Sequence, residues 1–361
     1  MTEKRNRIIV LSLALTVFTF LFSGCSESKE AKVDRLFREF GGLPNLPSAS
    51  VIVIKDGEIV FNKAYGCSGV EKNTKAETTT NYRIASLTKQ YTAMCIMILK
   101  DRGALNYEDK AIDILPDFPE YGREITVWHL LNHTSGLKEY QDVQHYPAGT
   151  TKQLKDKDVF DFYKKQDSTN FRPGTACQYS DGGYAVLALI IEKVSGMSFA
   201  EFLKQNIFIP LEMNNTVAYE EGISEVKNRA YGSAVENNKF INKDQSLFSA
   251  VLGDGGIYTS TVDMYKWDQA LYTDKLVSSG TMKEAFAISR TTLGQPVTYG
   301  FGWGKEPNKP GQYVMEGSTK GFRSIYYRNE EKRFSVIILT NKDVFNYMYT
   351  NKIKRLMRMF M

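Results

Sequence analysis

Histidine and cysteine are scarce in this chain, which has three histidines and four cysteines in 361 residues. The histidines, His129, His133 and His145, lack metal-ligand spacing, and there is no Cys-x-x-Cys pair, so we expect no metal site. The formal net charge is +5, too small an excess to indicate a nucleic-acid partner. These shortages argue against metal-dependent and nucleic-acid-binding functions.

Residues 1–24 predict an export signal. Three basic residues precede the uncharged run Ile8–Phe22, which is too short for a confident membrane span and suits a signal peptide. Leu21-Phe22-Ser23-Gly24-Cys25 then resembles a bacterial lipobox, whose cysteine is lipidated and becomes the mature N-terminus. We therefore expect an exported lipoprotein, held at the periplasmic or cell-surface side of a membrane through Cys25. A plain cleaved signal or an uncleaved anchor is the alternative.

The part of the chain after residue 24 reads as a polar tether, 25–42, followed by one domain, 43–361. Removal of residues 1–24 takes away three basic groups and one acidic group, which lowers the net charge from +5 to +3. With Cys25 lipidated, Cys67, Cys95 and Cys177 remain. This odd number argues against a disulfide framework.

Pairs of β-rich runs at the two ends of the domain predict hairpins. Ser50–Ile54 and Ile59–Ala64 flank a turn that contains Asp-Gly, and Phe322–Arg328 and Phe334–Thr340 flank a charged turn. We predict an α/β (α+β) fold with an antiparallel sheet flanked by helices. The sheet is expected from about 43–104 and 290–361, with an all-helical lobe inserted at about 105–289.

The C-terminal residues predict an amphipathic helix, because Ile353, Leu356, Met357 and Phe360 recur at helical spacing among basic residues. One interpretation is a last helix packed on the sheet. The other is attachment to anionic lipid.

Ser86 opens a markedly apolar stretch, and Lys89 follows one helical turn later. A helix that is apolar on all faces is buried, and a serine at its N-terminus lies beside unpaired backbone N–H groups. Desolvation favours a neutral lysine, which can take a proton from serine. Ser-x-x-Lys also occurs at Ser26, Ser135 and Ser224, but only the copy at Ser86 opens a buried helix.

An activated serine also needs a proton relay and an oxyanion hole. Tyr179 is the candidate relay, because it precedes a helix predicted over Ala185–Val194 and would be held by it. The segment Gly317-Ser318-Thr319-Lys320-Gly321-Phe322 enters a predicted strand, and a backbone N–H of that strand could supply the second oxyanion donor. The competing interpretation is a Ser–His–Asp triad built on His129 or His133.

Six segments occur in the order typical of one superfamily of serine enzymes. They are Arg83-Ile84-Ala85-Ser86-Leu87-Thr88-Lys89-Gln90, His129-Leu130-Leu131-Asn132-His133-Thr134-Ser135-Gly136-Leu137, Tyr179-Ser180-Asp181, Gly255-Gly256-Ile257-Tyr258-Thr259-Ser260, Tyr299-Gly300-Phe301-Gly302-Trp303 and Gly317-Ser318-Thr319-Lys320-Gly321-Phe322. On these segments the chain, from about Leu46 to Lys342, resembles the serine β-lactamase and penicillin-binding protein superfamily. Within it, the chain is most similar to the class C β-lactamase-like serine hydrolases.

The resemblance implies an α/β sandwich with a helical lobe, an active site between them, and no cofactor. It implies that Ser86 is the acylated nucleophile and that Lys89 and Tyr179 share the proton transfer. The backbone N–H groups of Ser86 and Ser318 would form the oxyanion hole. The candidates for substrate binding are Asp181, Gly317, Thr319, Lys320 and Arg323.

Two positions depart from the family pattern. Met315 stands where the third motif normally opens with Lys or His, and Asp181 stands where the second motif normally ends in Asn. An ionised Asp181 can only accept hydrogen bonds, and it favours the ammonium form of Lys89. We therefore expect weak or no β-lactamase activity, with Lys320 and Arg323 as candidate substitutes for the missing cation.

The sequence leaves three functions open. The first is hydrolysis of an ester or amide of a small molecule or peptide through a Ser86 acyl-enzyme. The second is transfer of the same acyl group to an acceptor other than water. The third is a non-catalytic penicillin-binding-like protein that keeps the fold.

Overall fold

The computed structural model describes residues 27–41, 45–143, 152–220, 222–343 and 348–361. The α-helices are α1 Lys29–Leu36, α2 Thr88–Asp101, α3 Ala111–Ile114, α4 Val127–Leu131, α5 Tyr140–Val143, α6 Asp156–Tyr163, α7 Asp181–Ser195, α8 Phe199–Leu203, α9 Leu252–Gly255, α10 Thr261–Ala270, α11 Ser279–Phe286 and α12 Met348–Phe360. The strands are β1 Ala49–Lys55, β2 Glu58–Tyr65, β3 Cys67–Gly69, β4 Thr74–Lys75, β5 Tyr82–Arg83, β6 Val217–Ala218, β7 Ser233–Glu236, β8 Lys239–Asn242, β9 Ile257–Thr259, β10 Tyr299–Gly300, β11 Trp303–Lys305, β12 Gln312–Thr319, β13 Phe322–Asn329 and β14 Phe334–Thr340.

A seven-stranded antiparallel sheet joins the two ends of the domain in the order β10-β11-β12-β13-β14-β1-β2. Both predicted hairpins, β1–β2 and β13–β14, are confirmed, and β1 pairs with β14 from Ala49↔Thr340 to Lys55↔Phe334. β1 and β14 are buried along almost their whole length, which explains why their sequences are continuous apolar runs rather than alternating ones. The antiparallel sheet with flanking helices confirms the predicted fold class.

The chain between α2 and β10 forms a lobe that packs on one face of this sheet. The prediction that this lobe is all-helical is wrong, because it also contains the β7–β8 hairpin and the strands β6 and β9, which form a small sheet with β5. These strands have only two to four residues, so they lack the long alternating pattern by which a strand is recognised in a sequence. The predicted helix over Ala185–Val194 is part of α7, which ends at Gly196 in a left-handed conformation.

The opposite face of the sheet is covered by α1 and α12. Ile353, Leu356 and Phe360 of α12 are buried there, which confirms that the C-terminal helix packs on the sheet. The prediction of a polar tether over 25–42 is wrong for the described residues, since α1 begins at Lys29 and buries Val33, as does Phe37 after it. These two apolar residues are four apart and lie on one face of a short helical segment otherwise rich in charge.

The sheet therefore separates two apolar cores, one under α1 and α12 and a larger one shared with the lobe. α2 is buried in the larger core and connects the sheet to the lobe. The junction between sheet and lobe is where the candidate site lies. Within the described residues, no helix has the length and apolar character needed to cross a membrane.

Candidate active site

Ser86 lies in a short 3₁₀ turn, 85–87, that leads directly into α2. From Thr80 to Leu99 every residue except Ser86 is buried, so this side chain is the single accessible point of a buried segment. Ala85 before it has a left-handed backbone (φ 50°), a conformation that costs energy for a residue with a Cβ and that recurs at functional sites. The fold thus presents one hydroxyl at the mouth of a buried helix, as the sequence predicts.

Lys89 is fully buried and holds three acceptors with its ammonium group. Its Nζ donates to Ser86 Oγ at 3.3 Å, to Asp181 Oδ1 at 2.6 Å and to the carbonyl oxygen of Asp254 at 2.9 Å. An ammonium has three hydrogens, so these contacts satisfy the charged form completely. The geometry therefore describes a site at rest with a protonated lysine.

The electrostatics of the site agree with this protonation state. Burial acts to lower the pKa of Lys89, but the negative charges of Asp181 and Asp254 and the hydrogen bond to Asp181 together outweigh it, and the pKa is raised from its ordinary value. Before Lys89 can accept the proton of Ser86, it must lose one of its own. The expectation that Asp181 favours the ammonium form of Lys89 agrees with the 2.6 Å ion pair between the two side chains.

Tyr179 reaches Ser86 from the lobe. Its hydroxyl donates to Ser86 Oγ at 2.8 Å, and its ring lies 5.0 Å from Lys89 Nζ. Desolvation of the hydroxyl, followed by the negative charge of Asp181, raises the pKa of Tyr179 well above its usual value. The tyrosine is therefore protonated at rest, and Ser86 Oγ accepts hydrogen bonds from both neighbours.

β12 packs against the turn that carries Ser86. A Cβ on Gly317 would lie 2.1 Å from the carbonyl oxygen of Ile84, so only glycine lets the strand approach the segment before Ser86. Gly317 thereby brings the backbone of Ser318 to the cavity that Ser86 lines. The cavity has a volume of about 210 Å³, and Asp181, Thr319 and Lys320 also line it.

A family model described as Beta-lactamase matches residues 33–355. The chain belongs to the β-lactamase family. This is a family of β-lactamase-like and penicillin-binding-protein-like serine hydrolases, and the sequence resemblance is thereby confirmed.

Relatives and solved structures of this β-lactamase-family chain are penicillin-binding-protein-like. Penicillin-binding protein 4* of Bacillus subtilis (strain 168) is 32% identical over 331 residues, which cover 88% of this chain and 73% of that protein. The octameric penicillin-binding protein homologue from Pyrococcus abyssi is 25% identical at a TM-score of 0.76, over 91% of this chain and 76% of that one. FmtA from Staphylococcus aureus is 25% identical at a TM-score of 0.73, over 90% and 88% of the two chains.

Arg323, one of the predicted substrate-binding residues, lies outside the cavity. Its Nη2 lies 3.1 Å from Asp343 Oδ1, and its Nη1 donates to the carbonyl oxygens of Thr319 and Phe322. Arg323 pairs across the sheet with Ser318 and does not line the cavity. The expectation that Arg323 substitutes for the missing cation therefore disagrees with its ion pair to Asp343, whereas Lys320 lines the cavity.

The position of the missing cation is filled by an apolar side chain. Met315 is buried on the same face of β12 as Gly317, and its sulfur accepts a hydrogen bond from the Tyr299 hydroxyl. The Tyr299 ring also packs edge-on against Tyr179, 5.3 Å between centroids. Tyr299 and Met315 thus give this side of the site a neutral wall.

Two acidic residues around Lys89 escaped the sequence analysis. The buried carboxyl of Asp254 accepts a hydrogen bond from Tyr140, and burial followed by the charge of Asp181 raises its pKa well above its usual range. Glu139 Oε2 accepts the backbone N–H of Asp181 at 2.9 Å, and burial raises the pKa of Glu139 to about 7. No motif marks either residue, because each reaches the site only through the packing of the lobe.

The competing Ser–His–Asp triad is excluded by the contacts of both candidate histidines. His133 Nδ1 accepts the backbone N–H of Ser180 at 3.0 Å, and His129 Nδ1 accepts the backbone N–H of Thr126 in a capping box at the start of α4. Neither imidazole hydrogen-bonds Ser86 or a carboxylate in the described residues. Ser86 has Lys89 and Tyr179 as its partners instead.

Proposed function

We propose that the protein hydrolyses an ester or amide of a small molecule or peptide through a covalent acyl group on Ser86. The observation that supports this most is the convergence of Lys89 and Tyr179 on one accessible hydroxyl within 3.3 Å. A nucleophile within hydrogen-bond reach of two titratable groups, one of them oriented by a third residue, is the arrangement that covalent catalysis requires. Here Asp181 is that third residue.

The proposed reaction has two steps with one acyl-enzyme between them. Ser86 Oγ attacks the acyl carbon while its proton passes to deprotonated Lys89 or Tyr179, and the oxyanion is stabilised by the backbone N–H groups of Ser86 and Ser318. The leaving alcohol or amine takes that proton as the bond to the acyl carbon breaks. Water then attacks the acyl carbon and gives up a proton to the same base; the bond between the acyl carbon and Ser86 Oγ breaks, the acid leaves, and the base returns the proton to Oγ.

Covalent labelling tests this proposal directly. An active-site phosphonate is expected to modify Ser86 of the intact protein, as read by peptide mass spectrometry. Products formed with an added alcohol or amine acceptor then distinguish hydrolysis from acyl transfer. Ligand binding without labelling or turnover would instead assign the chain to the non-catalytic class.

β-Lactams are expected to be poor substrates. Met315 cannot pair with a β-lactam carboxylate, and an ionised Asp181 cannot donate to the substrate carbonyl. Met315→Lys is expected to improve cephalosporin turnover, because it restores a cation beside Tyr179, whereas Met315→Leu keeps the apolar wall and should change little. Rapid cephalosporin hydrolysis by the natural protein, at roughly 1–10³ s⁻¹, would contradict this argument and leave Lys320 as the cation.

We also propose that the protein is exported and anchored through a lipid on Cys25, a residue outside the described part of the chain. With α1 beginning at Lys29, only three residues would separate the anchor from the folded domain, a span of roughly 15 Å at most. Mass spectrometry of the membrane fraction is expected to find a mature N-terminus at a lipidated Cys25. An intact Met1 start, or cleavage elsewhere with Cys25 unmodified, would show that the proposal is wrong.

A further inference from the structure

His133 is a buried histidine at an uncommon backbone position, one residue beyond the C-cap of α4. Its φ is 56°, in the left-handed region that few residues other than glycine adopt, with Asn, Asp and His the usual exceptions. The side chain is 1% exposed and takes no direct part in the proposed reaction. Residues in sparsely populated backbone conformations recur at active sites, which points to a role for the His133 side chain.

His133 makes three contacts with the short segment that carries Tyr179. Its carbonyl oxygen accepts the backbone N–H of Gln178 at 2.9 Å, and its Nδ1 accepts that of Ser180 at 3.0 Å. Its ring stacks on the Tyr179 ring at 4.8 Å between centroids and 20° between planes. One residue therefore fixes the backbone on both sides of Tyr179 and the plane of the ring itself.

These contacts require a neutral imidazole with a lone pair on Nδ1. Burial, followed by the positive charge of Lys89, lowers the pKa of His133 well below its usual value, so the ring stays neutral. The bond from Ser180 places the proton on Nε2, which has no hydrogen-bond partner in the described residues. The groups that pack around the ring are Tyr179, Tyr184 and Tyr299.

We propose that His133 is a positioning residue that sets the Tyr179 hydroxyl at hydrogen-bond distance from Ser86 Oγ. Tyr179 is 40% exposed, so the lobe does not enclose it, and the two acceptors of His133 hold the backbone on both sides of it. An error of about 1 Å in a reacting group can cost about 10²-fold in rate. This role rests on the proposed Ser86 chemistry and adds a residue that acts through Tyr179.

Two substitutions test whether the Nδ1 acceptor of His133, rather than its ring, sets the rate of Ser86 acylation. His133→Asn keeps a left-handed conformation and places an amide oxygen near the Nδ1 position, so it should retain most of the rate of Ser86 acylation by a phosphonate or chromogenic ester. His133→Leu removes the acceptor, leaves the Ser180 N–H unpaired, and is expected to slow acylation by about 10²-fold. His129→Asn is the matched control, because that imidazole only caps α4, and it should leave acylation unchanged.

A double-mutant cycle with Tyr179→Phe distinguishes positioning from a general loss of structure. If His133 acts through the Tyr179 hydroxyl, His133→Leu should cost little further once that hydroxyl is gone. The inference would be overturned if His133→Leu lowered the acylation rate by the same factor in the natural protein and in Tyr179→Phe. It would also be overturned if His133→Asn were as slow as His133→Leu. Either result would leave the Ser86 chemistry intact. An unaltered rate in Tyr179→Phe alone would overturn both the inference and the proposed proton transfer by Tyr179. Should His133→Leu fail to fold, His133→Phe, which also lacks the acceptor, takes its place in the cycle.

Discussion

Ser86→Ala is expected to abolish turnover of every ester or amide substrate and to abolish phosphonate labelling. The substitution removes the only accessible side chain of the segment from Thr80 to Leu99, together with the atom on which Lys89 and Tyr179 converge. Alanine fits without strain in this helical turn, so thermal unfolding should change little. Turnover of a chromogenic ester and the melting temperature, measured on the same preparation, check both expectations.

Ser318→Ala is the control for this prediction. The Ser318 side chain is exposed, and the proposed role of Ser318 is that of its backbone N–H, which alanine retains. Its activity should therefore stay close to that of the natural protein. Activity that survives Ser86→Ala intact would remove the whole proposed mechanism.

The hairpins and the buried helix were predictable because each has a local cause. β1, β2, β13 and β14 are apolar runs around tight turns, and α2 is a continuous apolar stretch, so their sequences carry the signal without any tertiary information. The same holds for Ser86 and Lys89, which lie one helical turn apart. Tyr179 required the resemblance as well, since it lies 93 residues from Ser86.

The remaining parts of the site depend on contacts that no local pattern records. Asp254 and Glu139 approach Lys89 and Asp181 only because the lobe folds around α7, which no local sequence pattern records. Arg323 looked like a substitute cation because it is close in sequence to Ser318. The direction of its guanidinium is set by the pairing register of β12 and β13 and by the ion pair with Asp343. The register depends on the whole sheet and is not visible in the local sequence.

Lys89→Ala is expected to slow acylation of Ser86 by at least the ~10²–10⁴-fold typical of losing a positioned acid–base group. Lys89 is the only lysine in contact with Ser86 within the described residues, and its removal also leaves Asp181 without its cationic partner. The rate of a single phosphonate acylation event measures the effect apart from product release. An acylation rate in Lys89→Ala within a few-fold of the natural rate would assign the proton transfer to Tyr179 alone.

Asp181→Asn is expected to change the pKa of Lys89 while leaving the lysine itself in place. In the natural protein Asp181 raises the pKa of Lys89 against the effect of burial, so the neutral amine forms only as the pH rises, and the acylation rate should increase towards alkaline pH. Asparagine keeps the shape and removes the charge, after which burial dominates and the pKa of Lys89 falls. The rise of the rate with pH should therefore move to lower pH, while Lys89→Ala should lose it. An unchanged profile in Asp181→Asn would mean that the titrating base lies elsewhere, with Tyr179 next in line because its hydroxyl is the other donor to Ser86.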